Sequence, residues 1–254
     1  MKKILITNDD GVFAEGIYEI ARELSEDYDV TVVAPNVQKS GAGQSITFRS
    51  ELYLEEVKLN GLEKVKAYSV TGTPADCVKF AIGNIGVRPD LVISGINLGA
   101  NLGTDVWYSG TLGAATEAAL MGYPSLALSV TDHNAAYVRD AAHACREAVD
   151  FYIKNNKICD LLSVNVPNLP LSEMKDVRIA TLSKRNYPLA YKQMPDGGFA
   201  MPDWDFHCDE NNTECDEYLL MHGHITWTPV MIDRCAYDRL KPLDEKFKEW
   251  KCEK

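Results

Sequence analysis

The chain has 254 residues, with 26 Lys and Arg against 37 Asp and Glu, a formal charge of −11. Its 46 % hydrophobic and 25 % charged residues are an ordinary globular composition, which excludes disorder, collagen and coiled coil. No run approaches the roughly 20 apolar residues of a membrane span, and an acidic chain without a basic cluster is a poor partner for duplex nucleic acid.

Lys3–Thr7 is a short apolar run ending in a polar cluster, the pattern of a buried parallel strand. Glu15–Leu24 has apolar residues at 17, 20, 21 and 24, the spacing of an amphipathic helix. Asp29–Ala34 reads as a second strand closed by Pro35, and Ile46–Val57 with Val65–Val70 alternate with period two, like an antiparallel ribbon. Thr73 as N-cap and Pro74 behind it start a helix. Pro89–Ser94 is another buried strand, Gly110–Met121 a helix, Ser125–Ser129 a strand and Ala135–Lys154 a long helix. Leu161–Val166 and Val177–Leu182 supply further strands. This order predicts an α/β fold, a mostly parallel sheet with helices on both faces.

From about Lys184 the texture changes. Residues 185–217 are rich in Pro, Gly, aromatics and acids with no sustained period, and read as a hairpin arm outside the core. Ile225–Val230 resumes a strand and Asp244–Trp250 is a short charged helix. The expected organisation is an α/β core over 1–184, an extended arm over 185–224, and a C-terminal strand and tail helix over 225–254 returning to the core. Tyr187, Tyr191, Phe199, Trp204, Phe206 and Trp227 are aromatics for a partner subunit or a nucleobase.

The seven cysteines are scattered and form no C-x-x-C, and Met1–Ile6 is far short of a signal-peptide core. A cytoplasmic protein with reduced thiols is therefore expected. His207, Cys208, Cys215, His222 and His224 invite a zinc reading, but their spacing fits no familiar ligand frame.

In open parallel sheets ligands bind beyond the carboxyl ends of the strands. After the first strand comes Asn8-Asp9-Asp10-Gly11, two adjacent carboxylates at a glycine turn, which repel unless a cation neutralises them. After the second comes Ser40-Gly41-Ala42-Gly43, a small loop that is neither a P-loop nor a dinucleotide fingerprint. After Pro89–Ser94 comes Ser94–Asp105, with three glycines at four-residue spacing and Asn97 and Asn101 among them, expected to be an ordered functional loop. Ser109-Gly110-Thr111 then opens a helix whose small residues leave first-turn N–H groups open to a phosphate. Singly, the Asn8–Gly11 turn also reads as a solvated turn, Ser40–Gly43 as a surface loop and Ser109–Thr111 as a capped helix. Together, Asp9, Asp10, Ser40 and Asn97 are oxygen-only candidates for a hard cation such as Mg²⁺ or Mn²⁺ beside an anion site, which points to phosphate-ester hydrolysis.

At these residues the sequence resembles the SurE family, metal-dependent nucleotidases. The stretches that carry the resemblance are KILITNDDGVFAEGI, VVAPNVQKSGAGQSIT, VTGTPADCVKFAI, PDLVISGINLGANLGTDVWYSGTLGAATEA, LLSVNVP and ITWTP. The resemblance implies a Rossmann-like core with a C-terminal hairpin exchanged between subunits of a homodimer, often paired into a homotetramer. It places one divalent metal ion per subunit, Mg²⁺ or Mn²⁺, on Asp9, Asp10, Ser40 and Asn97. Asn101 and Ser109-Gly110-Thr111 fall on the phosphate side, where Asn8 and Gly41 are further candidates. Asp9, Asp10 and Asn97 are the expected catalytic residues, and the expected substrate is a nucleoside monophosphate. Thr104 departs from the family, which often has an acid there, and 185–224 matches only loosely. The competing class is a nucleotide-binding sensor without turnover. A dinucleotide oxidoreductase is weaker, since no G-x-G-x-x-G follows the first strand.

Overall fold

The computed structural model describes residues 1–155, 158–184, 187–202 and 210–252. The first half alternates strands and helices as the hydrophobic pattern requires: β1 (Lys3–Thr7), α1 (Glu15–Leu24), β2 (Asp29–Pro35), then β3 (Leu54–Val57) and β4 (Lys66–Val70). Next come α2 (Pro74–Phe80), β5 (Leu91–Leu98), α3 (Gly110–Leu120), β6 (Ser125–Val130), α4 (Val138–Asn155) and β7 (Leu161–Val166). The C-terminal part contains β8 (Lys175–Ile179), the short pair β9 (Lys192–Gln193) and β10 (Phe199–Ala200), α5 (Asp216–Met221), β11 (His224–Val230) and α6 (Tyr237–Cys252).

Nine of the described strands form one sheet in the order β3-β4-β2-β1-β5-β6-β7-β11-β8. From β4 to β7 all neighbours are parallel; β3 and β11 enter antiparallel to β4 and β7. Chain order runs outward from β1 in one direction and from β5 in the other, so the topological switch point lies between β1 and β5, where a crevice opens. On one face, α1 and α4 cover Ile4, Ile6, Val32, Ile93, Leu126 and Val164. On the other, α2 and α3 cover Leu5, Val33 and Val92, with Cys77, Val78, Ala114 and Ala118 supplied by the helices. The small residues of α3 let it lie deep against the sheet, where most of its length is buried.

Three local expectations are corrected. Ser94–Leu98 is not loop: β5 continues through it to Leu98, with a register shift against β6 between Ser94 and Asn97. Pairing of Asn97 and Leu98 with Ser129 and Val130 of β6 outweighs the poor strand propensity of Gly and Asn. Of Ile46–Val57 only Leu54–Val57 pairs as a strand, while Thr47 is tied by backbone and hydroxyl to Asp76. The tail helix α6 is longer than its charged centre suggested, spans Pro242 and is exposed on all sides.

Residues 215–224 are not part of a free-standing arm. α5 packs on β11, and the buried Asp216 accepts from the backbone N–H groups of Gly103 at 2.8 Å and Ser183 at 2.9 Å. Residues 191–199, by contrast, are exposed throughout. No described helix is long and apolar enough to cross a membrane.

Candidate active site

The crevice at the switch point is a cleft of about 600 Å³. Asp9 and Asp10 line it from the end of β1, Ser40 and Gly41 from the loop after β2, and Asn97 from the end of β5. Asn101 and Ser109 complete the wall from the segment leading into α3.

Each group is held by identifiable bonds. The chain turns after β1 because Asn8 bonds Gly11 twice, its amide donating to the Gly11 carbonyl at 2.9 Å and its carbonyl accepting the Gly11 N–H at 3.1 Å. This Asx-type turn sends Asp9 and Asp10 to the same cleft. The loop after β2 hangs from both sides: Lys39 N–H donates to the Asp9 carbonyl at 2.7 Å, and Gly43 N–H to the Tyr108 carbonyl at 2.9 Å. Ser40 and Gly41 are thereby brought opposite the carboxylates.

Asp9 is only 4 % exposed, and its Oδ1 accepts the Thr111 hydroxyl at 2.7 Å. Burial pushes its carboxyl up to about 6; the Thr111 hydroxyl pulls it down, and the neighbouring Asp10 adds to the rise. Asp10 is less deeply placed. Burial raises its carboxyl too, against Leu98 N–H, Gln38 and the charge of His133, which lower it. Asn97 donates its amide N–H to the Gly99 carbonyl at 2.6 Å, so its side-chain oxygen is the ligand atom it can offer.

Ser109 is the N-cap of α3, its hydroxyl accepting from Leu112 N–H at 3.2 Å. Gly110 is needed as glycine here, because a Cβ would lie 2.9 Å from Asp9 Cβ and Oδ2. The helix start therefore presses directly on Asp9.

Two carboxylates raised by burial, a hydroxyl and an amide oxygen fit a hard divalent cation that would relieve their repulsion. Asn8, Gly110 and Thr111 do not line the cleft. Asn8 shapes the turn, Gly110 makes room, and Thr111 holds Asp9.

Other cleft residues escaped the sequence reading. Thr131, Asp132 and His133 follow β6 and were detectable by the same carboxyl-end rule. His133 Nδ1 lies 2.8 Å from the Leu98 carbonyl, which can only accept, so that nitrogen carries the hydrogen. Gln38 and Glu217 also line the cleft, the latter from a region without periodicity and hence without a signal, and they are joined by Tyr187, one of the aromatics read as facing a nucleobase or a partner subunit.

The zinc reading finds no support among the described residues, which include no group of three or more His, Cys, Asp or Glu side chains able to hold a metal. Cys215 caps α5, His222 Nδ1 is 2.7 Å from the Tyr218 carbonyl, and His224 Nδ1 is 2.8 Å from Asp176. His207 and Cys208, like Trp204 and Phe206, lie outside the described residues.

Fold and site together define a doubly wound α/β protein with an acidic, oxygen-lined crevice at its switch point beside a helix N-terminus. The chain belongs to the SurE family, matching the profile described as "Survival protein SurE" over residues 4–188. It is 38 % identical to the 5′-nucleotidase SurE of Thermosipho africanus, covering 97 % of this chain and 98 % of that one. It is 41 % identical to the 5′-nucleotidase SurE of Desulfitobacterium hafniense, covering 94 % and 95 %. A crystal structure of the SurE protein from Aquifex aeolicus superposes with a TM-score of 0.82 at 32 % identity, over 96 % of this chain and 98 % of that chain.

Proposed function

We propose that this protein is a metal-dependent phosphomonoesterase that hydrolyses nucleoside monophosphates to nucleoside and phosphate, a 5′-nucleotidase. The observation that carries the reading is the buried Asp9 carboxylate beside Asp10, pinned by Thr111 at the start of α3. The relatives named 5′-nucleotidase support the same substrate class.

One divalent cation per subunit, Mg²⁺ or Mn²⁺, held by Asp9, Asp10, Ser40 and Asn97, would supply Lewis-acid polarisation of the phosphoryl group and acidify water. The chain's own groups do the rest. Asn101 and Ser109, which line the cleft on the side of the α3 N-terminus, offer their side-chain amide and hydroxyl to the non-bridging oxygens, so charge developing on the transferred group meets fixed dipoles. Thr111 fixes one oxygen of Asp9, which leaves the other to orient or accept a proton from the attacking water. At the mouth, Tyr108 and Tyr187 stand edge to face with ring centroids 5.0 Å apart, a wall of a size for a nucleobase.

The stretch around β9 and β10, with Leu189, Tyr191 and Phe199 exposed, is the part we assign to subunit contact, giving a homodimer or homotetramer. Free thiols at Cys77, Cys145, Cys159, Cys215 and Cys235 suit a cytoplasmic setting.

Phosphate release from 5′-AMP, with Mn²⁺ or Mg²⁺ and again with chelator, tests the reading. Metal-dependent release is expected. Binding of AMP without release, across 3′-monophosphates and short polyphosphates as well, would replace it with the sensor.

A further inference from the structure

β6 and β7 are buried on both faces, and the two faces differ: one is wholly apolar, the other mixed. Leu126, Leu128, Val130, Leu162, Val164 and Val166 join the core beneath α1 and α4. On the other face Ala127 and Leu161 pack against Leu112 and Ala115 of α3, while Ser125, Ser129, Ser163 and Asn165 are polar and no more than 2 % exposed. Burying polar groups costs free energy unless each finds a partner, so a polar row inside a sheet calls for a reason.

The row is aligned. Asn97 of β5 is in register with Ser129 of β6, and Ser129 with Asn165 of β7. A line of polar side chains thus leads from the proposed metal ligand Asn97 across the carboxyl ends of three parallel strands.

Its far end grips the loop after β5. The Asn165 side-chain oxygen accepts Asn101 N–H at 2.8 Å, and its amide donates to the Asn101 carbonyl at 3.2 Å. One planar amide satisfies both backbone groups of one residue, as the two members of an antiparallel pair do for each other. The Asn101 side chain is turned separately, its amide donating to Ser129 Oγ at 2.8 Å. Asn101 itself is 7 % exposed and lines the cleft.

We propose that Asn165 is a positioning residue of the phosphate site: it clamps the backbone of Asn101 while Ser129 aims the Asn101 side chain, so that the loop presents its donors to the phosphoryl oxygens already ordered. The proposal rests on the phosphoesterase reading for what the loop binds; the clamp itself rests on the hydrogen bonds. Preorganised donors contribute through not having to be ordered when substrate arrives. Residues that orient a ligating group typically matter by about 10–100-fold.

The test uses full-length protein with Mn²⁺, AMP as substrate and inorganic phosphate as competing ligand. Asn165→Ala is expected to lower kcat/KM by about 10–100-fold and to weaken phosphate inhibition about tenfold. The Mn²⁺ concentration for half-maximal thermal stabilisation should stay within about twofold, because Asn165 touches no proposed metal ligand. Asn165→Asp keeps the acceptor for Asn101 N–H but puts an oxygen against the Asn101 carbonyl. Its activity relative to wild type should rise as pH falls and the protonated acid regains a donor. Ser129→Ala should weaken phosphate inhibition alone but add nothing in an Asn101→Ala background.

Wild-type values in folded Asn165→Ala and Asn165→Asp overturn the proposal, as does a parallel loss of phosphate and Mn²⁺ affinity. If Asn165→Ala fails to fold, Asn165→Asp and the Ser129–Asn101 cycle decide; a pH-independent activity ratio for Asn165→Asp together with additive cycle effects would overturn it. If the wild-type protein releases no phosphate from AMP, the phosphoesterase reading falls. The clamp is then judged on calorimetric phosphate binding, which the same variants must weaken.

Discussion

The Thr111 hydroxyl reaches across 102 residues of chain to donate to Asp9 Oδ1 at 2.7 Å, and both groups are buried. This bond joins the end of β1 to the first turn of α3. It leaves a carboxylate in a place where water cannot solvate it, so Asp9 stands above its ordinary 3.8 at about 6. Between those two values the folded protein binds more protons than the unfolded chain, and the contribution of Asp9 to stability falls as pH rises. The loss is complete above pH 6 and amounts to about 3 kcal/mol. Asp9→Asn keeps the acceptor for Thr111 and removes the charge. In chelator at pH 7.5 it should therefore melt higher than wild type, with the difference vanishing near pH 4. The same variant should lose at least about 10²–10³-fold in AMP hydrolysis. Lower stability of Asp9→Asn than of wild type in urea melts at pH 7.5 would contradict the electrostatic account.

Divalent cations should reverse the wild-type deficit. A ligand at 100 times its dissociation constant stabilises by about 2.7 kcal/mol, so Mn²⁺ or Mg²⁺ should raise the melting temperature by several degrees. Protons compete for the same oxygens of Asp9 and Asp10, both raised by burial, so metal affinity should climb with pH and level off above about 6. Asp10→Asn, Ser40→Ala and Asn97→Ala should each weaken the shift. Undiminished stabilisation in all three would place the ion elsewhere.

α1 begins hard against β5. A Cβ on Gly16 would lie 1.9 Å from the Ile96 carbonyl oxygen, a contact only backbone movement could relieve. Gly16→Ala should cost about 1–3 kcal/mol by overpacking, and the strain falls one residue from Asn97. Denaturation midpoint and metal affinity should therefore drop together, although residue 16 does not line the cleft.

The sequence carried most of this site because every piece follows a parallel strand. Asn8–Gly11, Ser40–Gly43 and Ser109–Thr111 each combine small or polar residues with a strand or helix boundary, and such local chemistry is readable. Asn97 reads as a loop residue in the sequence but lies in β5, paired with Ser129 of β6, because glycine spacing says nothing about a pairing partner on another strand. Asn165 lay in plain view within Leu161–Val166 and passed as one residue of a buried strand. Its meaning depends on its register neighbour Ser129 and on Asn101, 64 positions away, and no local period encodes that. Tyr187 and Asp216 come from the stretch without periodicity, yet Asp216 anchors Gly103 and Ser183 with its two oxygens. Buried hydrogen bonding to backbone leaves no mark in a hydrophobic pattern.

Tyr187 supplies the last prediction, on what distinguishes a nucleotide from a bare phosphate ester. Its hydroxyl donates to Asp105 Oδ1 at 2.6 Å and its ring meets Tyr108 at 74°, while Tyr108 keeps 54 % of its surface exposed at the cleft mouth. A ring fixed by its own hydroxyl loses little entropy when a base packs against the pair. Stacking of a base on an aromatic side chain is worth about 1–3 kcal/mol. Tyr187→Ala and Tyr108→Ala should therefore raise KM for AMP by about 5–100-fold while leaving KM for ribose 5-phosphate within about twofold. Tyr187→Phe keeps the ring but frees it from Asp105, so its effect on AMP should be intermediate. An equal rise for both substrates would mean that the tyrosines shape the phosphate end of the cleft and that the base is bound elsewhere.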